Sequence, residues 1–224
     1  MSRADPRVAT AGLSPTALGI GSQAGLVYLS FRNPRHFWPL MTIGLSVGGL
    51  PGLRRLLDRP QPTSVGWLLR GAAVGLVGYG ITVAGAAVVG RVPQGGRWLA
   101  RIRACTQGAP RPLAALLVVP ASIGEELFWR ESVLGKELHP GADLDLGLIT
   151  RSTLVYAAVQ GASLQPLPSM GALLLGFGAG VLRLRSGSIW PAVAAHLVYA
   201  ELCLVEPGLP RPDGDASKWS KSTT

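Results

Sequence analysis

An all-α, polytopic bundle of transmembrane helices is the fold class this sequence predicts, and three observations predict it. Of 224 residues, 48% are hydrophobic and only 15% are charged, whereas a soluble domain carries about 25% charged residues. Mean hydropathy is +0.33. The apolar residues gather into runs close to the roughly 20 residues that cross a bilayer core of about 30 Å. No alternating barrel pattern accompanies them, and helices then become the form that satisfies every backbone N–H and C=O in lipid.

Seven such runs can be drawn. The first, Leu13–Phe31, is interrupted by Ser14, Pro15, Ser22 and Gln23, so the expected count is six to eight spans. Phe37–Leu53 and Val65–Gly90 follow, then Leu113–Leu134, Leu146–Leu164, Pro168–Leu184 and Ser188–Val205. Glycines crowd the third and sixth runs, in "GAAVGLVGYG" and "GALLLGFGAG". There they let helix backbones approach closely. A phosphate loop is excluded, because no strand precedes them and no Lys-Ser/Thr pair follows. Trp38, Trp67 and Trp190 lie near run ends, as interfacial anchors do.

The chain divides into an N-terminal tail (1–12), N-terminal spans with a basic connector (13–110), a core (111–206) and a C-terminal tail (207–224). The last is rich in Pro, Gly, Asp, Ser and Lys and reads as disordered. Residues 1–12 have no apolar h-region and do not read as a cleaved signal peptide. The connector 91–111 holds five arginines and no acid. Its middle, "RWLARIRA", reads as either a short helix on the membrane surface or a solvated loop.

Net charge is +9, yet no recognition motif or aromatic stacking platform for nucleic acid is present. The basic residues sit in connectors, where they meet anionic head groups. Cys105 and Cys203 form no disulfide framework.

With Arg183, at the end of the sixth run, counted among the connector residues, three basic residues are left over inside the runs: Arg70, Arg130 and Arg151. Arg70 and Arg151 are near run ends and are expected to snorkel. Glu125, Glu126 and Arg130 fall in the fourth run, within "SIGEELFWRES". An ionisable group at that depth costs about 2.5–3.5 kcal/mol or more by insertion scales, so a task is expected of it. Glu125 lies about 18 Å along its helix at 1.5 Å per residue, and His196, on the antiparallel seventh run, falls at the same level. Gln160, on the fifth run, comes out a few ångströms nearer one face. One carboxylate, one imidazole and one amide are thus expected to meet inside the bundle. Glu126 and Arg130 stand i,i+4 and form an ion pair, while Glu125 is turned about 100° away and faces a cavity. A poorly solvated carboxylate is a stronger base than one in water, as water activation requires. Tyr156, one turn before Gln160, reads as packing.

"EELFWR" and "GSIWPAVAAHLVYA", in that order, resemble the CPBP family, the CaaX-protease and bacteriocin-processing group also called Abi. The resemblance covers roughly residues 111–205. It implies an intramembrane glutamate-dependent endopeptidase that cuts a membrane-tethered protein or peptide, an integral protein of the bacterial inner (plasma) membrane. It further implies that Glu125 is the base, that Glu126 and Arg130 support it, and that His196 steadies the oxyanion. Two positions depart from the family pattern. The motif Phe-x-x-x-His reads "YAAVQ" here, which puts Gln160 at the His position, and Ala200 stands where Asn or Asp is usual one turn after His196. Gln160 orients water but exchanges no proton near pH 7. The other readings are a catalytically impaired member that binds or scaffolds a partner in the membrane, and a small transporter, for which no inverted repeat is visible. No metal or other cofactor is expected, since Glu125, His196 and Gln160 make a poor zinc set.

Overall fold

The computed structural model describes residues 14–137 and 145–205, which fall into helices and their short connections. The helices are α1 (Pro15–Arg32), α2 (Phe37–Asp58), α3 (Val65–Val89), α4 (Pro93–Thr106), α5 (Arg111–Glu126), α6 (Leu146–Gly161), α7 (Pro166–Ser186) and α8 (Trp190–Ala200). Among the described residues there is no strand. The tails 1–12 and 207–224 lie outside the described residues.

Every run drawn from the sequence holds a helix. Serines cap two of them: Ser14 accepts from the Ala17 amide and Ser64 from the Trp67 amide. Asp145 does the same for α6, accepting from Leu148 N–H at 2.9 Å. Gly187, at φ 68°, ends α7 in the left-handed conformation that side chains resist. The eighth helix, α4, lies in the basic connector, so that segment is helical and not an irregular loop. Pro93 opens it, and Leu99, Ile102 and Cys105 recur at helical spacing on its buried face.

Among the described residues, three helices are long and apolar enough to cross a membrane: Val65–Val89, Arg111–Val133 and Pro166–Ser186. Trp190–Val205 is a shorter apolar helix. The outer surface carries Ile43, Val47, Leu69, Val77, Leu116 and Phe177 exposed, while Glu125, Glu126, Arg130 and His196 are buried. This arrangement, apolar outside and charged inside, suits lipid rather than water.

Glycines set the crossings that place the catalytic candidates. A Cβ on Gly49 of α2 would stand 2.6 Å from the Gly124 carbonyl oxygen of α5, and one on Gly124 would meet the Leu45 carbonyl. The two backbones therefore touch one residue before Glu125. Gly71 and Gly75 of α3 likewise lie against the Pro191 and Ala195 carbonyls of α8. Pro120 lies inside α5. Around it, Thr42 donates to the Leu117 carbonyl at 3.2 Å and Ser46 to the Pro120 carbonyl at 3.3 Å, so α2 hydroxyls serve backbone oxygens beside the proline.

Two expectations need correction. Trp38 is not an interfacial anchor: it is 3% exposed, and its indole N–H donates to the Thr106 carbonyl at 2.8 Å. Arg183 does not belong with the solvated connector residues. It is buried in α7 and donates to Glu131 at 3.1 Å.

Candidate active site

Both glutamates ride on the last turn of α5, and the helix changes character right after them. Residues Leu127–Val133 continue it as a π segment, a form frequent at functional sites. The Glu126–Arg130 pair survives the widened winding, with Arg130 Nε donating to Glu126 Oε2 at 3.0 Å. Neither side chain has any exposed surface.

The other oxygen of Glu126 reaches α8. His196 Nδ1 stands 2.8 Å from Glu126 Oε1. Glu126 is held as a carboxylate by the guanidinium and only accepts, so Nδ1 carries a proton and donates it. His196 Nε2 is thereby left toward Glu125, whose Oε2 is 3.6 Å away. From α6, Gln160 Nε2 donates to Glu125 Oε1 at 2.8 Å. Glu125, Gln160 and His196 thus meet, as the depth reckoning anticipates, and Glu125 faces away from the guanidinium that its neighbour binds.

A cavity of about 130 Å³ joins these three residues. Its polar wall is Glu125, Gln160, His196 and Tyr156, and its apolar wall includes Phe31, Phe37, Met41, Ile102, Leu167 and Leu175. Ala200 lines it as well, so a one-turn neighbour of His196 does face the space, with a methyl group. Among the described residues, no group of three or more His, Cys, Asp or Glu is placed to hold a metal ion.

Tyr156 does more than pack. It lines the cavity beside Glu125, its ring lies 5.6 Å from Arg130 Cζ, and Trp129 leans on it with ring centroids 5.1 Å apart. The i,i+4 spacing of Tyr156 and Gln160 was the available signal, since it puts both on one face of α6. Gln23, read only as a weakness in the first run, is buried and accepts from Trp129 Nε1 at 3.0 Å. A second buried cluster adjoins the site. Glu131 Oε2 accepts from Arg183 at 3.1 Å and from Gln61 Nε2 at 2.9 Å, and Gln61 Oε1 accepts from the Ile189 amide at 2.8 Å. The α2–α3 connection thereby ties the π segment to the start of the helix that carries His196.

The residues that build this site lie largely in one stretch of chain. Residues 107–200 match the family model described as Type II CAAX prenyl endopeptidase Rce1-like. Over this stretch the chain is similar to that family. The matched segment holds Glu125, Glu126, Arg130, Tyr156, Gln160 and His196, and it agrees with the CaaX-protease resemblance carried by "EELFWR" and "GSIWPAVAAHLVYA". The family is one of proteases, which makes a peptidase-type hydrolase the class this stretch points to. No curated protein and no solved structure matches the chain.

Proposed function

We propose that this chain is an intramembrane glutamate-dependent endopeptidase of the CaaX-protease type, hydrolysing a peptide bond in a membrane-tethered substrate. It is a protein of six to eight spans in the bacterial inner (plasma) membrane, with residues 111–206 as the catalytic core. One observation carries the reading. Glu125, not paired with the guanidinium, faces a cavity together with Gln160 and the Nε2 edge of His196, while Glu126 alone binds Arg130.

In this mechanism a water in the cavity sits against Glu125, and Gln160 fixes the carboxylate's orientation. The water oxygen attacks the carbonyl carbon of the peptide as Glu125 takes its proton. His196 enters the step as an imidazolium, protonated at Nε2 as well as at Nδ1; its Nε2–H donates to the oxyanion that develops, and Glu126 stabilises the cation from the Nδ1 side. When the C–N bond breaks, Glu125 passes its proton to the leaving amine. Acid and amine products result, and the enzyme returns to its starting state.

The test is substrate processing by full-length protein in membranes, with Glu125→Gln compared against the wild type. Glu125→Gln keeps the shape and one hydrogen bond to Gln160 but removes the base. Processing is expected to fall by about 10²–10⁴-fold, the usual worth of a positioned base, with accumulation unchanged. Undiminished cleavage by Glu125→Gln would remove the mechanism. A wild type that binds a membrane-tethered peptide and never turns it over would favour the non-catalytic reading, in which Gln160 and Ala200 have disabled the site.

A further inference from the structure

The cavity's position within the bundle singles out α4. Its wall is built from the end of α1 (Phe31), the start of α2 (Phe37, Met41), the end of α3 (Thr82, Ala86) and the start of α7 (Leu167). The end of α6 and the far half of α8 supply Gln160 and Tyr199. All these parts lie toward one end of the bundle. α4 contributes Ile102 and Thr106 to the same wall. It is fastened there by Trp38 to the Thr106 carbonyl at 2.8 Å, by Arg101 to the Phe31 carbonyl at 3.1 Å, and by Gly95 packed on the Val89 backbone. A 14-residue helix of about 21 Å thus crosses this end of the bundle and covers the space below.

Its two faces have different partners. Leu99, Ile102 and Cys105 are buried against the bundle. Arg97 and Arg101 are exposed, as are Arg91 and Arg111 at the ends of the connector and Arg32 and Arg35 on the neighbouring α1–α2 turn. Residues 91–111 contain no acid to neutralise these cations. An exposed band of guanidinium groups at the end of an apolar bundle matches the phosphates of a negatively charged bilayer surface in both sign and place.

We infer that α4 is a docking surface for the head groups of anionic lipid, on the same helix that walls the cavity holding Glu125. Head groups bound to Arg91, Arg97 and Arg111 hold the helix down from outside, while Arg101 and Trp38 hold it from within. Lipid charge then sets how firmly the cavity is closed at this end. The link to cleavage rests on the peptidase reading, whereas the lipid contact does not, and the experiment reads the contact directly.

The full-length protein is purified in detergent, and retained lipid is counted by native mass spectrometry after addition of phosphatidylglycerol or phosphatidylcholine. The comparison variant carries Arg91→Gln, Arg97→Gln and Arg111→Gln, none of them in the catalytic group. The wild type is expected to retain phosphatidylglycerol over phosphatidylcholine, with the preference reduced by salt. The variant is expected to bind phosphatidylglycerol about fivefold more weakly per arginine removed, roughly a hundredfold in all. Free glycerol phosphate is expected to compete poorly, because it lacks the acyl chains that lie along the apolar bundle. Equal retention of the two lipids, or equal phosphatidylglycerol binding by variant and wild type, overturns the proposal. So does a variant that binds lipid normally but loses cleavage of a substrate with acidic flanks, since the arginines would then read the peptide. Loss of cleavage by Glu125→Gln with lipid preference intact leaves this inference standing and separates it from the mechanism.

Discussion

Adjacent carboxylates on one helix turn are expected to give opposite phenotypes when each is changed to its amide. In Glu126→Gln the guanidinium of Arg130, with no exposed surface, loses its anionic partner at 3.0 Å, and His196 loses the carboxylate at 2.8 Å. Breaking one side of a buried pair strands the other charge and costs about 3–5 kcal/mol. In Glu125→Gln no buried cation is stranded, and the new amide still offers an oxygen to Gln160, so the loss is on the order of 1 kcal/mol. At roughly 2–4 °C per kcal/mol for a chain of this size, Glu126→Gln is expected to lower the unfolding midpoint by about 10 °C and Glu125→Gln by a few degrees. Both midpoints are read by thermal unfolding of detergent-solubilised full-length protein, alongside cleavage of a membrane-tethered peptide. Glu125→Gln is expected to be stable and inactive. Equal midpoints for the two variants would refute the division of labour, because Glu126 would then not be the residue that neutralises Arg130.

Other substitutions test neighbouring parts of the same account. Tyr156→Phe removes the hydroxyl from the cavity wall that Tyr156 shares with Glu125 while keeping the ring between Trp129 and Arg130; kcat is expected to fall about tenfold with KM unchanged, at the roughly 1.4 kcal/mol that one hydrogen bond from that hydroxyl is worth, and an unaltered kcat would return Tyr156 to mere packing. Gly124→Val drives a side chain into the Leu45 backbone, so a loss of at least about 1–3 kcal/mol is expected from forced separation of α2 and α5, read as reduced accumulation and a lower midpoint. Glu131→Ala strands Arg183 beside it and is expected to destabilise by about 3–5 kcal/mol, with Arg183→Met in the same chain recovering part of the loss. Gln160→His adds a group that exchanges protons between about pH 5 and 8, so the pH profile of cleavage is expected to acquire a limb in that range that the wild type lacks.

What the sequence disclosed, and what it withheld, follows from how far each signal reaches. Helix positions were legible because a run of apolar residues is a local property, as are Ser64 before α3 and Gly187 after α7. The meeting of Glu125 with His196 was legible for a less obvious reason: antiparallel helices of known rise convert residue number into depth, so partners 71 positions apart come to one level by arithmetic alone. Rotation about each helix axis is what depth leaves open. Tyr156 lies at the proper level but reads as packing until the α6–α7 and α5–α8 crossings fix which way it faces. Gln61 was out of reach altogether, because its partners Glu131 and Ile189 belong to two other elements and no period connects a loop to them. Arg183 was misplaced because three residues before the end of α7 is where a cation ordinarily reaches water, and only the buried Glu131 beside it makes burial tolerable. Charged residues are therefore poor markers of span ends when a polar cluster lies within the bundle. The glycine pairs that draw α2 onto α5 and α3 onto α8 are the better guide to where the site assembles, because they fix the rotation that depth leaves undetermined.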